Sequence, residues 1–216
     1  MTSVELLAFL RLQLDDVVTP YLWSDAECYQ HLSDAQRMFC RLTDGISDAS
    51  TTAIVDITVA INAEWLALDP RILKIRAANR TSDGAPLEVL NFEDMAPRGI
   101  RFDGRTGVLT TLITGMEENK LRLARKASVA DAIKLLVFRL PLVDITASGS
   151  PEIHSQHHEH LVPWAMSRAL LKQDSEAFDK NKAQEMETVF RRYCAAAQLE
   201  QRTKRHKVRT VAYGGI

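Results

Sequence analysis

No run of this sequence approaches the ~18 consecutive apolar residues that a membrane-spanning helix needs, so no membrane partner is expected. The opening residues, MTSVELLAFLRLQLDD, have no basic n-region and no unbroken apolar core, and export by a readable signal is not expected. Cysteine is scarce. Cys28, Cys40 and Cys194 show no CxxC spacing and cannot all pair with one another, which argues against a disulfide framework or a zinc ribbon. All three fall in helical patterns and are expected as reduced, half-buried side chains of a protein folded in a cytoplasm. The net charge of -1 supplies no global field that would draw the molecule onto nucleic acid or membrane. Nor is there a GxSxG, a P-loop or a GxGxxG, and Gly214-Gly215 follows no strand-to-helix signal that would make it a phosphate cradle.

What remains is an ordinary globular composition, 46% hydrophobic and 25% charged, over 216 residues, enough for one domain or two small ones with a real core. Thr2 with Glu5, and Ser24 with Glu27, sit at capping-box spacing and mark two helix starts. The first helix presents Leu7, Leu10, Leu14 and Val17 at steps of three and four and is expected to end at Pro20. The second presents Cys28, Leu32, Ala35, Phe39 and Leu42 at the same steps. From about Thr51 the period changes to two, with Val55, Ile57, Val59 and Ile61 alternating with smaller or polar residues. Strand-like runs follow at Ile72–Ala77, Leu87–Leu90, Gly99–Phe102, Val108–Ile113, Lys120–Leu123 and Ile133–Leu140. Turn residues separate them, so residues 51–145 read as a small antiparallel β-sandwich or barrel. After a Ser/Gly/Pro stretch the chain is helical again, from about Gln156 to Lys172 and from about Lys180 to Arg202. The expected fold is α+β. Helices of residues 1–50 and 150–202 form a bundle into which the β module is inserted, and 203–216 make an extended C-terminal arm.

Few constellations offer chemistry. His154, His157, His158 and His160 are interleaved with Glu152 and Glu159, and two imidazoles at helical spacing can hold zinc. The run is not HExxH and no distant Cys or His offers a further ligand, so capping and surface histidines are the favoured reading and no metal or cofactor is expected. Asp15-Asp16, Glu117-Glu118 and Asp131 read as solvated acids, because carboxylates are mostly exposed. The C-terminus says more. RTKRHKVR, from Arg202 to Arg209, has five Lys/Arg and no acid, and the chain then closes with Val211, Tyr213 and Ile216 among small residues. A solvated tail, a phosphate-neutralising nucleic-acid contact and a docking arm that orders on a partner all fit this segment.

Four segments carry a family resemblance. They are Leu22-Trp23-Ser24-Asp25-Ala26-Glu27 with Asp34-Ala35-Gln36-Arg37-Met38-Phe39-Cys40; Leu68-Asp69-Pro70-Arg71-Ile72-Leu73-Lys74-Ile75-Arg76; Gly115 to Leu123; and His158-Glu159-His160-Leu161-Val162-Pro163-Trp164-Ala165 with Arg168-Ala169 and Gln173-Asp174. In order and spacing the chain resembles the structural adaptors of tailed bacteriophages, also called head-to-tail connectors, over nearly its whole length. None of these segments is catalytic. The resemblance implies a virion protein, made in the host bacterial cytoplasm, that forms a ring, usually of twelve copies, beneath the portal and above a tail or nozzle protein. It implies that the helical bundle builds the ring, whose lumen passes DNA without reading its sequence. It further implies that the basic arm, Arg202, Lys204, Arg205, Lys207 and Arg209, meets acidic surface of the portal or a neighbouring subunit. Val211, Tyr213 and Ile216 would fill apolar grooves. Composition and periodicity, not the resemblance, assign Trp23, Phe39, Trp164 and Phe190 to packing of the bundle. A small basic-tailed DNA-binding protein, and a metal-dependent hydrolase using the His154–His160 cluster, are the competing readings.

Overall fold

The structure, a computed structural model, describes residues 1–95, 104–173 and 177–205. Its contacts divide the chain into two compact units. One comprises Met1–Thr43 and the chain from Val143 onward, the other Asp44–Leu142. The expected strand at Gly99–Phe102 lies outside the described residues.

In the first unit both capping boxes are present. The Thr2 hydroxyl accepts from the Glu5 N–H and the Glu5 carboxylate accepts from the Thr2 N–H, opening α1, Ser3–Leu14. Ser24 and Glu27 do the same for α2, Asp25–Leu42. The end of α1 differs from expectation. Asp15 turns left-handed (φ 59°) and its N–H closes on Arg11 O and Leu12 O, so the helix stops before Pro20 and Val17 is exposed outside it. The buried stripe of α1 is Leu6, Leu7 and Leu10, and that of α2 is Cys28, Leu32, Ala35 and Phe39.

The single helix expected from Gln156 is instead two 3-10 turns, Ser155–His157 and Glu159–Leu161, followed by a short helix that we label after the sheet unit. Pro163, near its start, lacks the N–H that would extend the ladder backwards, and so the α segment begins beside it.

The second unit begins with β1, Ile46–Asp48. Where alternation predicts a strand from Val55, the chain first makes a helical turn, α3, Thr52–Val55, and then β2, Asp56–Val59. The Asp48 carboxylate imposes that turn by accepting the N–H groups of Ser50 and Thr51. Next come β3, Trp65–Ala67; β4, Ile72–Arg80; β5, Pro86–Asn91; β6, Thr106–Gly107; β7, Thr111–Thr114; β8, Lys120–Leu123; β9, Lys126–Ala127; and β10, Asp131–Arg139. These strands do not form the wholly antiparallel sandwich or barrel expected. One mixed sheet runs β1-β10-β4-β5-β7-β8-β3, with β2 also on β10, while β6 and β9 pair separately. β5–β7 and β6–β9 are parallel. The physical reason is connection length: the chain between Asn91 and Thr111 is far longer than a tight hairpin, and only tight hairpins force antiparallel neighbours. The core of this unit is aliphatic, with Val59, Leu112, Leu121, Ile133, Leu135 and Val137 essentially inaccessible. Gly45 (φ +86°) is required at the entrance, since a Cβ there would lie 2.7 Å from Arg139 O.

Back in the first unit, α4, Val162–Leu170, packs against α1, α2 and α5, Lys180–Arg205, and buries nearly all its faces. α5 contributes Ala183, Phe190, Cys194 and Ala197. The three cysteines are fully buried rather than half-buried. Removal from water pushes the Cys28 thiol up to about 11 and the Cys194 thiol up to about 12. We therefore expect no reaction of native protein with a thiol-specific disulfide reagent at pH near 8, and full reaction once urea is added. Rapid labelling of the native chain would contradict the burial. Among the described residues no helix is long and apolar enough to cross a membrane.

Candidate assembly site

The aromatic residues singled out in the sequence lie inside the helical unit. Trp23, Phe39, Trp164 and Phe190 are each at most 2% exposed. Indole N–H groups need partners when buried: Trp23 Nε1 donates to Ala169 O at 3.2 Å and Trp164 Nε1 to an Asp34 carboxylate oxygen at 2.8 Å. The Trp164 ring lies 5.1 Å from that of Phe190 and carries the Arg168 guanidinium 4.2 Å above it. Gln36 Oε1 accepts the Glu152 N–H at 2.7 Å. Lys172 reaches Glu27 at 2.6 Å, and that bond, together with the Ser24 N–H, holds the Glu27 carboxyl down to about 2. The first and last of the four sequence segments thus interlock through Trp23 with Ala169 and Asp34 with Trp164.

The four histidines do not share one helix face: His157 and His160 lie against Tyr193 of α5, and His158 lies against Met1 and Ile153. His157 Nδ1 is 2.7 Å from the Tyr193 hydroxyl and its Nε2 is 3.1 Å from Gln156 Nε2, with its ring against Phe39. His160 stacks on Tyr193. His158 Nε2 meets Ile153 O at 2.9 Å and so carries a hydrogen, while Nδ1 lies 3.0 Å from Met1 O. Burial pushes the His157 and His160 pKa values down and that of Tyr193 up. The ring nitrogens of His157 and His158 are already engaged, and among the described residues no three His, Cys, Asp or Glu side chains converge on a point where a metal could sit. Nothing in the spacing of His157 and His160 points to Tyr193, thirty-odd residues on; their meeting is visible only in three dimensions.

Of the residues proposed for docking, Arg202 and Lys204 are exposed on α5, whose last turns are supported by Lys204–Glu200 (2.5 Å) and by Thr203 Oγ1 donating to Leu199 O. The helix continues through Arg205. Lys207, Arg209, Val211, Tyr213 and Ile216 lie outside the described residues. Among the described residues Ala197 is the last buried position of α5; Gln198 and Gln201 are half-buried, and Leu199, Glu200, Arg202, Thr203 and Lys204 are exposed.

Beyond these helices, the other two segments meet in the sheet unit, where Leu68 N–H donates to Asn119 O at 2.8 Å. A family model described as SU10 adaptor protein matches residues 1–212. The chain belongs to that family. It is a phage adaptor protein, and SU10 adaptors are structural parts of the head-to-tail junction. No curated protein sequence matches it significantly. In this SU10 adaptor the interlocked residues serve packing. Asp34 and Gln36, quoted in the first segment without a role, accept the Trp164 and Glu152 N–H groups there.

Proposed function

We propose that this adaptor assembles as a ring, of twelve copies, between the portal and the tail, through which DNA passes without sequence-specific contact. The helical unit forms the ring as a bundle, and the basic end of α5 with the residues beyond it forms the docking arm. Arg202, Lys204, Arg205, Lys207 and Arg209 meet acidic surface of the portal or a neighbouring copy, and Val211, Tyr213 and Ile216 enter apolar grooves. A downstream tail protein binds the opposite face. The observation that carries this reading is the last described stretch of α5, where Leu199, Glu200, Arg202, Thr203 and Lys204 are exposed and give surface to a partner. Exposed arginine and aromatic anchors are the usual determinants of such contacts.

Co-sedimentation with the portal ring of the same genome tests it, using the full chain and a chain stopped after Gln201. The full chain is expected to saturate near one copy per portal subunit and the truncated one to stay in the supernatant. Equal binding of both would remove the arm from the interface, and binding of neither would refute the portal as the partner.

A further inference from the structure

In the sheet unit, β4 and β5 begin as a hairpin and then part. Their pairing is limited to Ala78 with Leu87 and Asn79 with Pro86, beside a turn closed by the Arg80 N–H on Ala85 O. Past that point β4 stays on β10 along its whole length, and β5 leaves with β7. The cause is a bulge: consecutive Leu136 and Val137 of β10 face Ala77 and Ile75, leaving Arg76 as an extra residue that bends β4. A cavity of about 390 Å³ occupies the opening. Ile72, Ile75, Val89 and Leu90 give it apolar walls, and Lys74 and Lys120 stand at its rim.

The walls also offer backbone. Glu88 N–H donates to Thr110 O on the β7 side, so strand alternation turns the N–H and C=O of Val89 the other way, toward β4. Among the described residues no strand pairs with this edge, and an unpaired edge over an apolar floor is the structure that β-augmentation uses. At the rim Lys120 bonds Glu117 at 2.6 Å, while Lys74 makes no ion pair among the described residues, so the opening is net positive.

We propose that the gap between β4 and β5 receives an extended peptide segment of a partner protein, with apolar side chains on alternate residues and an acidic residue at its end. The segment adds as a strand, taking the Val89 backbone groups as its hydrogen-bond partners and placing its acid beside Lys74. This goes beyond the arm-mediated contact proposed above and does not depend on it.

The test uses the full chain and a blocked seven-residue peptide alternating valine and threonine, with an aspartate at each end. Binding is followed by fluorescence anisotropy, and hydrogen exchange by NMR at Val89. The peptide is expected to bind and to slow exchange of the Val89 N–H. A version with a central proline, which removes a ladder donor, is expected not to bind. Lys74→Glu, an exposed change that leaves the unfolding midpoint in place, is expected to weaken binding at least about tenfold. Three results would overturn the proposal: no binding, equal binding of a lysine-ended or proline-containing peptide, or a Val89 N–H already protected in the free chain.

Discussion

Replacing Arg11 by alanine is expected to destabilise the helical unit by about 3–5 kcal/mol, the cost of leaving one member of a buried ion pair alone. The guanidinium is 8% exposed and joins three acceptors. Nη1 donates to Asp16 at 2.6 Å, Nη2 donates to Trp23 O at 3.0 Å and to the Asp25 carboxylate, and the Tyr21 ring lies 3.7 Å away. Asp25 is 63% exposed and would be rehydrated at little cost. Asp16 is the reason for the large effect. Its side chain is 6% exposed, and besides Arg11 it accepts the N–H of Leu22 at 2.8 Å, so it cannot turn to solvent without unmaking the α1–α2 corner. Lysine at position 11 keeps the charge but not the fork, and is expected to fall between wild type and alanine. Urea unfolding followed by tryptophan fluorescence reads the loss, and removing Asp16 as well as Arg11 is expected to recover part of it. A shift below about 1 kcal/mol for Arg11→Ala would place this pair with ordinary surface bridges.

That corner shows where sequence reasoning reached and where it stopped. Capping boxes are local, needing residues three apart, and so the starts of α1 and α2 were legible from Thr2, Glu5, Ser24 and Glu27. β8 coincides with its expected range, and β4 and β10 overlap theirs, because alternation is also local. Asp16, read as a solvated acid beside Asp15, is buried; the difference between them is a partner five residues back and a loop that folds over one of the two. Burial of a charge is a property of the tertiary neighbourhood, and the base rate for carboxylates points the wrong way at such sites. The parallel pairing of β5 with β7 was illegible for a related reason: a strand's own pattern gives its buried face and not the direction of its neighbour. Short strands such as β1 and β9 have too few residues to show a period at all. The helical site was partly legible. Trp23 and Trp164 stood out by size, whereas Asp34 and Gln36, which satisfy buried donors on α4 and before it, look like any polar residues of an exposed helix face.

The second buried ion pair governs the sheet unit, and Asp48→Asn is expected to cost it about 3–5 kcal/mol near neutral pH. Asp48 Oδ2 accepts from Arg139 Nε at 2.5 Å and from the Thr51 hydroxyl at 2.6 Å, and Oδ1 accepts the N–H groups of Ser50 and Thr51. The Asp48 and Arg139 side chains are 4% and 8% exposed. The position matters because β1 and β10 are the strands by which the chain enters and leaves the unit, and Asp48 faces Val137 two residues from Arg139 in their ladder. Asparagine keeps the shape but not the charge, and turns an amide N–H2 toward donors. Arg139 would keep its bond to Leu140 O and lose its carboxylate. Burial alone would raise the Asp48 pKa, but the hydrogen bonds from Thr51, Arg139 and the Ser50 and Thr51 amides outweigh it and hold the carboxyl well below the usual range. A carboxyl lowered in the folded state stabilises above its unfolded pKa of about 3.9 and stops doing so as pH falls toward the folded value. The gap in urea midpoint between wild type and Asp48→Asn is therefore expected to be constant from about pH 7 to about pH 5 and to narrow toward about pH 3. A gap that stayed constant into acid would mean that the cost comes from the amide N–H2 set against the Arg139, Ser50 and Thr51 donors and not from the lost charge. One that narrowed would show that the charge of a single carboxylate fixes the point at which the sheet is inserted into the helical chain.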